Sequence, residues 1–576
     1  MYLKDNYDFN NLEEMNNQKT LTKPFYKNKL LISILLTVLI IIILSTLFFI
    51  IFHFIIWSYK INFELTLIPN SDELKISWNA SKEIDEITIN TFFQNESTIP
   101  IKTYKLTNSI NSIKNNSIII KVYYGIPLIQ IKTFKKTYSL KNIFKIKVPI
   151  NKINIAPLSG SMPVTLFTIQ IDNITDYGNI KTYFCMQRNT TWDYNNLPKN
   201  VLFFPFYNIK TFFEGCSIKY HDIFLWIKDL YESNKNIEIK LFLNDVASYV
   251  FIDSRFVNNI PYKNLQTILL SDGTSTYNNF NKHFDNSSTY IEEYNFMKKK
   301  WIEFKNNITK YKKYDRKFIN EKEIIEYNYI MVKEEKNVFY WINKINGTMA
   351  PNNKEILKEI LNLPSIKLKD INTIIKNLNI SQIENLKKLF NFKNNYFEEA
   401  EKQKKEIMLI IGTIDEYNTT NITRAIKKYY GNKFIYYYKP HPGLGIIQVE
   451  EKMKAFKNLN ITNIPNDLPV EIIFFFIPNI YVSGYSSTSF ISLEKNKCCA
   501  LYNYKKTKGS YFDKMDFFIS YVNKNDVNYG KNVKGNDNFV LEFNTGICFC
   551  DYAIYEPSFD KLTYYNFTKN KSILKI

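Results

Sequence analysis

The sequence has few residues of the kinds that bind metals. Its 576 residues include 4 histidines and 6 cysteines. The paired cysteines, Cys498 with Cys499 and Cys548 with Cys550, lack the two-residue gap of a common zinc site. We therefore expect no structural metal. One or two disulfides are an open alternative if the chain faces an oxidising compartment.

Clustered basic charge is also lacking. The formal net charge is +20, from 75 Lys and Arg against 55 Asp and Glu, but the lysines are scattered along the chain. No basic stripe alternates with stacking aromatic residues, which argues against nucleic-acid binding. The same positive field would favour an anionic nucleotide as a ligand. With 45% hydrophobic residues, the chain can form two or three ordinary cores.

Charged residues are missing from one long stretch near the start of the chain. Residues 30–58 contain no Asp, Glu, Lys or Arg and are long enough to cross a bilayer. The stretch ends in bulky residues around Trp57, so we interpret it as an uncleaved signal anchor. Lysines are denser before it than after it, which predicts a cytosolic tail at 1–29 and a single-pass type II topology.

The rest of the chain shows two patterns. Residues 60–150 contain short β-branched segments, typical of a small all-β sandwich such as an immunoglobulin-like stem domain. From about residue 155, strands and helices alternate, which predicts α/β architecture. We expect an acceptor-side domain at 155–405 with a helical insert at 290–405, and a nucleotide-sugar domain at 406–576. A return of the C-terminal tail to the first domain is left open.

The most informative stretch is 439–489. The buried strand 434–438 breaks at a Lys-Pro-His-Pro-Gly sequence, which delivers His441 to the carboxyl edge of a sheet. A turn at 464–469 precedes a helix start with Glu471 in its first turn. A second strand, 480–482, leads into a Ser/Thr-rich loop that can donate hydrogen bonds to an anion. Each feature alone has a plainer explanation: a surface histidine, a first-turn acid, a helix N-cap.

Taken in order, these motifs resemble a known family. The sequence at 439–442 resembles the His-Pro motif of bacterial GT-B sialyltransferases, and 486–489 resembles their paired Ser/Thr motif. An Asn-Ile-Pro turn at 463–465 and Glu471 lie between them, as in the marine-bacterial and Pasteurella-type β-galactoside sialyltransferases. The resemblance covers roughly 235–505. It implies a GT-B fold of two Rossmann-like domains, here preceded by the transmembrane helix and the small all-β domain.

The resemblance also implies roles in the nucleotide-sugar domain. His441 would donate to the departing phosphate, and Glu471 would accept from the ribose hydroxyls. Further nucleotide-binding candidates are Ser487, Thr488, Gly412, Thr413 and Lys439.

In the acceptor-side domain, Asp272 is the expected general base and Asn244 and Gly273 are expected near the acceptor. Residues 271–273 resemble the family's acidic-acidic-Gly motif, although Ser271 replaces the first acid. From spacing alone, Asp272 would be an ordinary turn residue. The family's Trp after the Gly-Thr segment is replaced by Glu416 and Tyr417, which puts the acceptor sugar in doubt more than the donor.

The resulting expectation is an inverting, metal-independent sialyltransferase that uses CMP-sialic acid and a galactoside acceptor, without a cofactor. Its partners would be the nucleotide-sugar donor, the glycan and the membrane through residues 30–58, but not nucleic acid. The topology suits the Golgi in a eukaryote and the inner membrane in a bacterium. Asn-x-Ser/Thr sequons give weak support to a lumenal glycoprotein, among them Asn79, Asn95, Asn173, Asn189, Asn346 and Asn418.

Two alternatives stay open. One is a GT-B enzyme with another nucleotide sugar as its donor. The other is a non-catalytic, anchored surface protein with an adhesion function.

Overall fold

The structure is a computed structural model. It describes residues 25–57, 61–80, 84–92, 102–107, 115–135, 138–174, 180–186, 190–205, 212–245, 248–271, 289–308, 321–343, 362–412, 419–477, 479–485, 487, 489, 497–504, 539–543, 551–556, 561–565 and 574–575. The chain divides into two compact units, of which the first comprises Met1–Asn90, Lys102–Val122 and Gln130–Ile143.

The first unit begins with an apolar helix, α1 (Phe25–Trp57). Its segment Ile32–Ile51 has a mean hydropathy of 3.2, and none of it is buried. By length and composition, this helix can cross a membrane.

Seven strands form two small sheets in the region that follows. A three-stranded antiparallel sheet has the order β1-β2-β5, and a four-stranded sheet has the order β4-β3-β6-β7. On β2, alternate residues from Leu74 to Ala80 are buried, as expected for a sheet with one covered face. The immunoglobulin-like description stays a prediction. The strands are β1 (Ile61–Leu67), β2 (Glu73–Ala80), β3 (Glu86–Phe92), β4 (Lys102–Thr107), β5 (Asn115–Lys121), β6 (Leu128–Lys135) and β7 (Tyr138–Lys145).

The second unit contains two Rossmann-like sheets. The first sheet has seven parallel strands in the order β10-β9-β8-β11-β12-β13-β14. This order reverses direction between β8 and β11, which is the switch point where doubly wound sheets bind ligands. The strands are β8 (Lys152–Leu158), β9 (Lys181–Met186), β10 (Val201–Pro205), β11 (Glu238–Asn244), β12 (Leu265–Leu270), β13 (Val338–Ile342) and β14 (Ile366–Leu368).

The second sheet repeats this plan and extends it. Its order is β17-β16-β15-β18-β19-β20-β21-β22-β23, parallel as far as β19 and antiparallel beyond it, with the switch point between β15 and β18. The described tail strands therefore join the second half. The strands are β15 (Glu406–Ile411), β16 (Phe434–Lys439), β17 (Thr462–Asn463), β18 (Ile480–Tyr485), β19 (Cys498–Tyr504), β20 (Phe539–Phe543), β21 (Asp551–Glu556), β22 (Lys561–Tyr565) and β23 (Leu574–Lys575).

Helices connect these strands. In the second sheet, the apolar side of the connecting helices covers the strand residues. The buried cluster there includes Met408, Ile426, Tyr438 and Phe456. The helices are α2 (Ser161–Thr168), α3 (Ile171–Ile174), α4 (Phe212–Ser233), α5 (Tyr249–Ile252), α6 (Tyr290–Ile308), α7 (Glu321–Glu334), α8 (Ile371–Lys376), α9 (Ile380–Leu389), α10 (Glu398–Gln403), α11 (Thr419–Tyr430), α12 (Ile446–Phe456) and α13 (Val470–Phe476).

The mixed α/β class with parallel sheets is confirmed. The stretch 290–405 is less uniformly helical than predicted, because it also supplies β13 and β14 to the first sheet. The Lys- and Glu-rich helices α6 and α7 precede these two short strands, and the composition of the whole window therefore favours helix. The domain boundaries stay predictions.

Candidate functional site

Three predicted site residues lie at the carboxyl edge of the second sheet. Lys439 ends β16 and His441 follows it, while Gly412 follows the neighbouring strand β15. The Gly412 amide donates to the Lys439 carbonyl at 3.0 Å, so the two strand ends leave the sheet together. Parallel strands bring their ends to one edge, and this edge adjoins the switch point.

The His441 ring has a defined hydrogen-bond direction. Its Nδ1 accepts a hydrogen bond from the Gly443 amide at 3.0 Å, and the residue is partly exposed. In the neutral ring, an Nδ1 that accepts requires the proton to be on Nε2. The turn 441–444 therefore prepares Nε2 as a donor.

Glu471 is the second ionisable group at this edge. It lies in the first turn of α13, 3% exposed, and its Oε1 accepts from the Ser489 hydroxyl at 3.0 Å. Ser487 Oγ lies 3.4 Å from Ser489 Oγ, which links the hydroxyl loop to this acid. Burial raises the pKa of Glu471, and its own backbone amide, Ser489 and Lys439 oppose the rise. Thr413 and Thr488 lie outside the described residues.

Lys439 is buried beneath these groups, at 1% exposure. Its Nζ donates to the Pro440 carbonyl at 2.9 Å and to the Asn466 carbonyl at 2.8 Å. Burial lowers the pKa of Lys439 to about 7, and the nearby carboxylates of Asp467 and Glu471 oppose the shift.

The switch point itself requires glycine. Gly484 on β18 pairs with Ile411 on β15 and has φ of 126°. A Cβ added there would lie 2.3 Å from the Ile411 carbonyl oxygen. The close approach of the two backbones therefore excludes a side chain at this position.

The first sheet brings polar groups to its own switch point. Asn244, at the end of β11, is fully buried and accepts from the Ser159 amide at 3.1 Å. Its amide nitrogen donates to Ser159 Oγ at 2.9 Å and also to the Ser159 carbonyl. Asn244 thus fixes the loop between β8 and α2, where Gly160 has φ of 78°.

The expected base lies just beyond a described strand end. Ser271 follows β12 and is fully buried, and its hydroxyl accepts from the Asn343 amide at 3.4 Å. Asp272 and Gly273 lie outside the described residues.

The two halves meet at Asp467. This carboxylate accepts from the Thr191 hydroxyl at 2.7 Å and from the Thr191 amide. The Trp192 indole donates to the Asp467 carbonyl at 3.1 Å. A cavity of about 40 Å³ lies beside this contact, and both halves line it, through Ser159, Gly160, Ser161, Thr190, Trp192, Pro442, Asp467 and Pro469 among others.

A larger cavity, of about 1000 Å³, lies away from these residues. It surrounds the amino ends of β15 and β16, where Lys405 and Phe434 line it. Parallel sheets of this class bind ligands at the carboxyl edge, so we place the candidate site at the smaller cavity between the halves. Among the described residues, no group of three or more His, Cys, Asp or Glu is arranged to hold a metal.

The structure therefore places Gly412, Lys439, His441, Glu471 and Ser487 in one region of the second half, and Asn244 at the switch point of the first. The sequence analysis missed Asp467 and the Ser159–Ser161 loop, and it placed Ser489 in the hydroxyl loop without giving it a separate role. Gly160 between two serines after a buried strand was a usable signal for that loop. The contact of Asp467 with Thr191 joins residues far apart in the sequence, so no local pattern indicates it.

Comparison with solved structures finds several sialyltransferases of low sequence identity. An α/β-galactoside α-2,3-sialyltransferase from Photobacterium phosphoreum is 17% identical, with 66% of this chain and 98% of that chain covered and a TM-score of 0.48. A Photobacterium 2,6-sialyltransferase in complex with CMP and lactose is 14% identical, with coverages of 76% and 85% and a TM-score of 0.48. A sialyltransferase from Photobacterium damsela is 14% identical, with coverages of 76% and 88% and a TM-score of 0.44.

No protein-family model matches the chain, and no curated protein sequence matches it. These three structures are bacterial sialyltransferases, the family that the motifs also resemble. At these sequence identities and TM-scores, the three structures indicate only which proteins this chain is similar to. Its function has to be inferred from its own residues.

Proposed function

We propose that this protein is a membrane-anchored, inverting GT-B sialyltransferase that moves sialic acid from CMP-sialic acid to a galactoside. One observation supports this most directly. His441, Glu471 and the hydroxyl loop at Ser487 and Ser489 lie at the carboxyl edge of the second sheet, and the adjoining Pro442 lines the cavity shared with the first half. A monophosphate nucleotide needs these types of group and little else.

The second half would bind CMP. Glu471 accepts from the ribose hydroxyls, which a carboxylate can do with both oxygens. Ser487 and Thr488 donate to the phosphate, and Gly412 and Thr413 border the nucleotide. His441 donates through Nε2 to the phosphate oxygen that gains charge as the sugar departs.

The first half would bind the acceptor sugar and supply the general base. Asp272 takes the proton from the acceptor hydroxyl while that oxygen forms a bond to the anomeric carbon. The bond between this carbon and the phosphate oxygen breaks on the opposite face, and CMP leaves with the electron pair. In this proposal Asn244 and Gly273 shape the acceptor side.

The proposed reaction needs neither a metal nor a cofactor. CMP has one leaving phosphate, and a histidine with hydroxyl donors can stabilise it. Helix α1 would anchor the enzyme with its N-terminus in the cytosol, in the Golgi membrane of a eukaryote or the inner membrane of a bacterium.

Nucleotide-dependent thermal stabilisation of the full chain in detergent tests the donor. We expect CMP to stabilise the protein and UDP and GDP to leave it unchanged. At about one hundred times Kd, a ligand adds about 2.7 kcal/mol to the unfolding free energy. A response to UDP or GDP alone would indicate another donor, and no response to any nucleotide would indicate a non-catalytic surface protein. Transfer from CMP-sialic acid to lactose then tests the acceptor.

A further inference from the structure

The strand end at Lys439 has an unusual arrangement. Burial of an ammonium group is costly, and such groups are retained where they have a specific role. Lys439 is 1% exposed, and its two short hydrogen bonds are to backbone carbonyls, those of Pro440 and Asn466. The ammonium therefore points at two loops of the protein.

One of these loops holds the proposed phosphate donor, and the other contacts the first half of the unit. Pro440 directly precedes His441, and Asn466 directly precedes Asp467. The same loops are joined again where the Asn466 side chain donates to the Leu444 carbonyl at 3.0 Å. Lys439 therefore lies between the turn that holds His441 and the turn that reaches the other half of the molecule.

The second turn forms the contact between the halves. Asp467 accepts from the Thr191 hydroxyl at 2.7 Å, and its carbonyl accepts from Trp192. A second hydrogen bond fixes the segment 190–196 to the end of α9: the Asp193 backbone amide donates to the Leu389 carbonyl at 2.8 Å. Trp192 also packs edge-on against Phe390, with ring centroids 4.5 Å apart. A displacement of Asn466 would therefore be transmitted across the cleft.

We propose that Lys439 is a positioning residue that fastens the His441 turn to the Asp467 turn, so that the contact between the halves and the placement of His441 are coupled. This inference rests on the proposed function for its catalytic consequence. It replaces a direct contact of the Lys439 side chain with the nucleotide, because both short bonds of the ammonium are to carbonyls. The coupling itself is a structural property and can be measured without substrate.

Hydrogen–deuterium exchange of the full chain in detergent tests the coupling. Lys439→Met keeps the length of the side chain and removes its donors. We expect exchange to accelerate by about tenfold or more in 440–445, 464–469 and 190–196, because local opening becomes easier. Strand residues 406–411 should exchange as before. The control is Lys428→Met, the same change at an exposed lysine of α11.

Two outcomes would overturn the coupling. One is unchanged exchange in 190–196 and 440–445. The other is equal acceleration in 406–411, which would indicate a general loss of stability. If Lys439→Met does not fold, Lys439→Gln provides the test, because its amide keeps a shorter, neutral donor. Its exchange should then be faster than that of the parent protein in the same three segments.

Kinetics separate a positioning role from a nucleotide contact. For Lys439→Met we expect kcat to fall by about tenfold or more while KM for the donor changes by less than about threefold. A rise in KM with kcat unchanged would instead indicate direct binding of the nucleotide, and would overturn the proposal. If the parent protein neither transfers sialic acid nor responds to CMP, the proposed function fails, while the exchange experiment still decides whether Lys439 couples the two turns.

Discussion

The two parallel sheets share a plan and end in different chemistry. The central strands of the first sheet, β8, β11 and β12, lead into Ser159, Asn244 with Asp245, and Ser271. The central strands of the second sheet lead into Lys439, His441 and a hydroxyl loop beside Glu471. The first edge offers amides, hydroxyls and acids, and the second adds basic groups.

This difference matches the two substrates of the proposed reaction. A neutral sugar hydroxyl needs a carboxylate to remove its proton, and an anionic phosphate needs hydrogen-bond donors. The first sheet ends in residue types suited to the former, and the second in residue types suited to the latter. The two halves can therefore be tested separately. A substitution in the first half should lower transfer alone, and a substitution in the second half should lower transfer and also change nucleotide binding.

The sharpest test of the first half is Asp272→Ala. We expect the transfer rate to fall by about 10³-fold or more, because a general base contributes about 10²- to 10⁴-fold. Without Asp272, no group removes the proton from the hydroxyl of the acceptor sugar. Stabilisation by CMP should be unchanged, since the nucleotide is assigned to the other half. Equal loss of transfer and of CMP stabilisation would contradict the division of roles between the halves.

In the second half, His441→Ala should lower kcat by about 10²- to 10³-fold, the usual effect of removing one donor to a developing oxyanion. Steady-state kinetics with CMP-sialic acid and lactose measure this. His221→Ala, a change in α4, is the control and should leave kcat unaltered. Normal turnover by His441→Ala would show that the edge of the second sheet is not the donor site.

Gly484→Ala tests whether the backbones of β15 and β18 approach each other too closely for a side chain at the switch point of the second sheet. We expect a loss of about 3 kcal/mol or more in the free energy of unfolding, because the new Cβ would meet the Ile411 backbone and the φ of 126° is unfavourable. Urea denaturation measures it. Gly431→Ala is a matched control, since Gly431 has φ of 62° and open space around the added Cβ. It should cost only about 1 kcal/mol.

The most gradual effect, spread over several pH units, is a pH dependence from Lys439. Its pKa is about 7 in the folded protein and near the ordinary lysine value of 10.5 in the unfolded chain, so the unfolded chain binds the extra proton between these values. The free energy of unfolding therefore rises with pH between these two values, by up to about 1.4 kcal/mol per pH unit. Denaturant unfolding of Lys439→Met and of the parent protein at about pH 6, 8 and 10 measures this, and the parent should gain stability relative to the variant as pH rises. A constant difference across this range would mean that the pKa of Lys439 in the folded protein stays near the ordinary value of 10.5, as it does for a solvated lysine.

Much of the second half could be predicted because its signals are local. Strand 434–438 is a continuous apolar run that ends in prolines and glycine, and β16 covers Phe434–Lys439. Glu471 was expected in the first turn of a helix and lies there in α13. Such features depend on neighbours in the sequence, so a window of a few residues contains the information.

The first half was less predictable. β13 has five residues and follows the Lys- and Glu-rich helix α7, and its register in the sheet depends on β12 and β14 rather than on its own composition. The ties of Asn244 to Ser159 and of Asp467 to Thr191 join residues 85 and 276 positions apart. No pattern of spacing along the chain predicts such pairs.

The amino-acid sequence by itself determined the apolar helix, the α/β alternation and the order of the motifs around His441, because each follows from side chains close together along the chain. Only the tertiary structure decided that Lys439 turns its ammonium to two loops, that Gly484 touches Ile411 and that Asp467 reaches the other half. These depend on which strand ends come to the same sheet edge, and that is set by the packing of the whole unit rather than by any one segment.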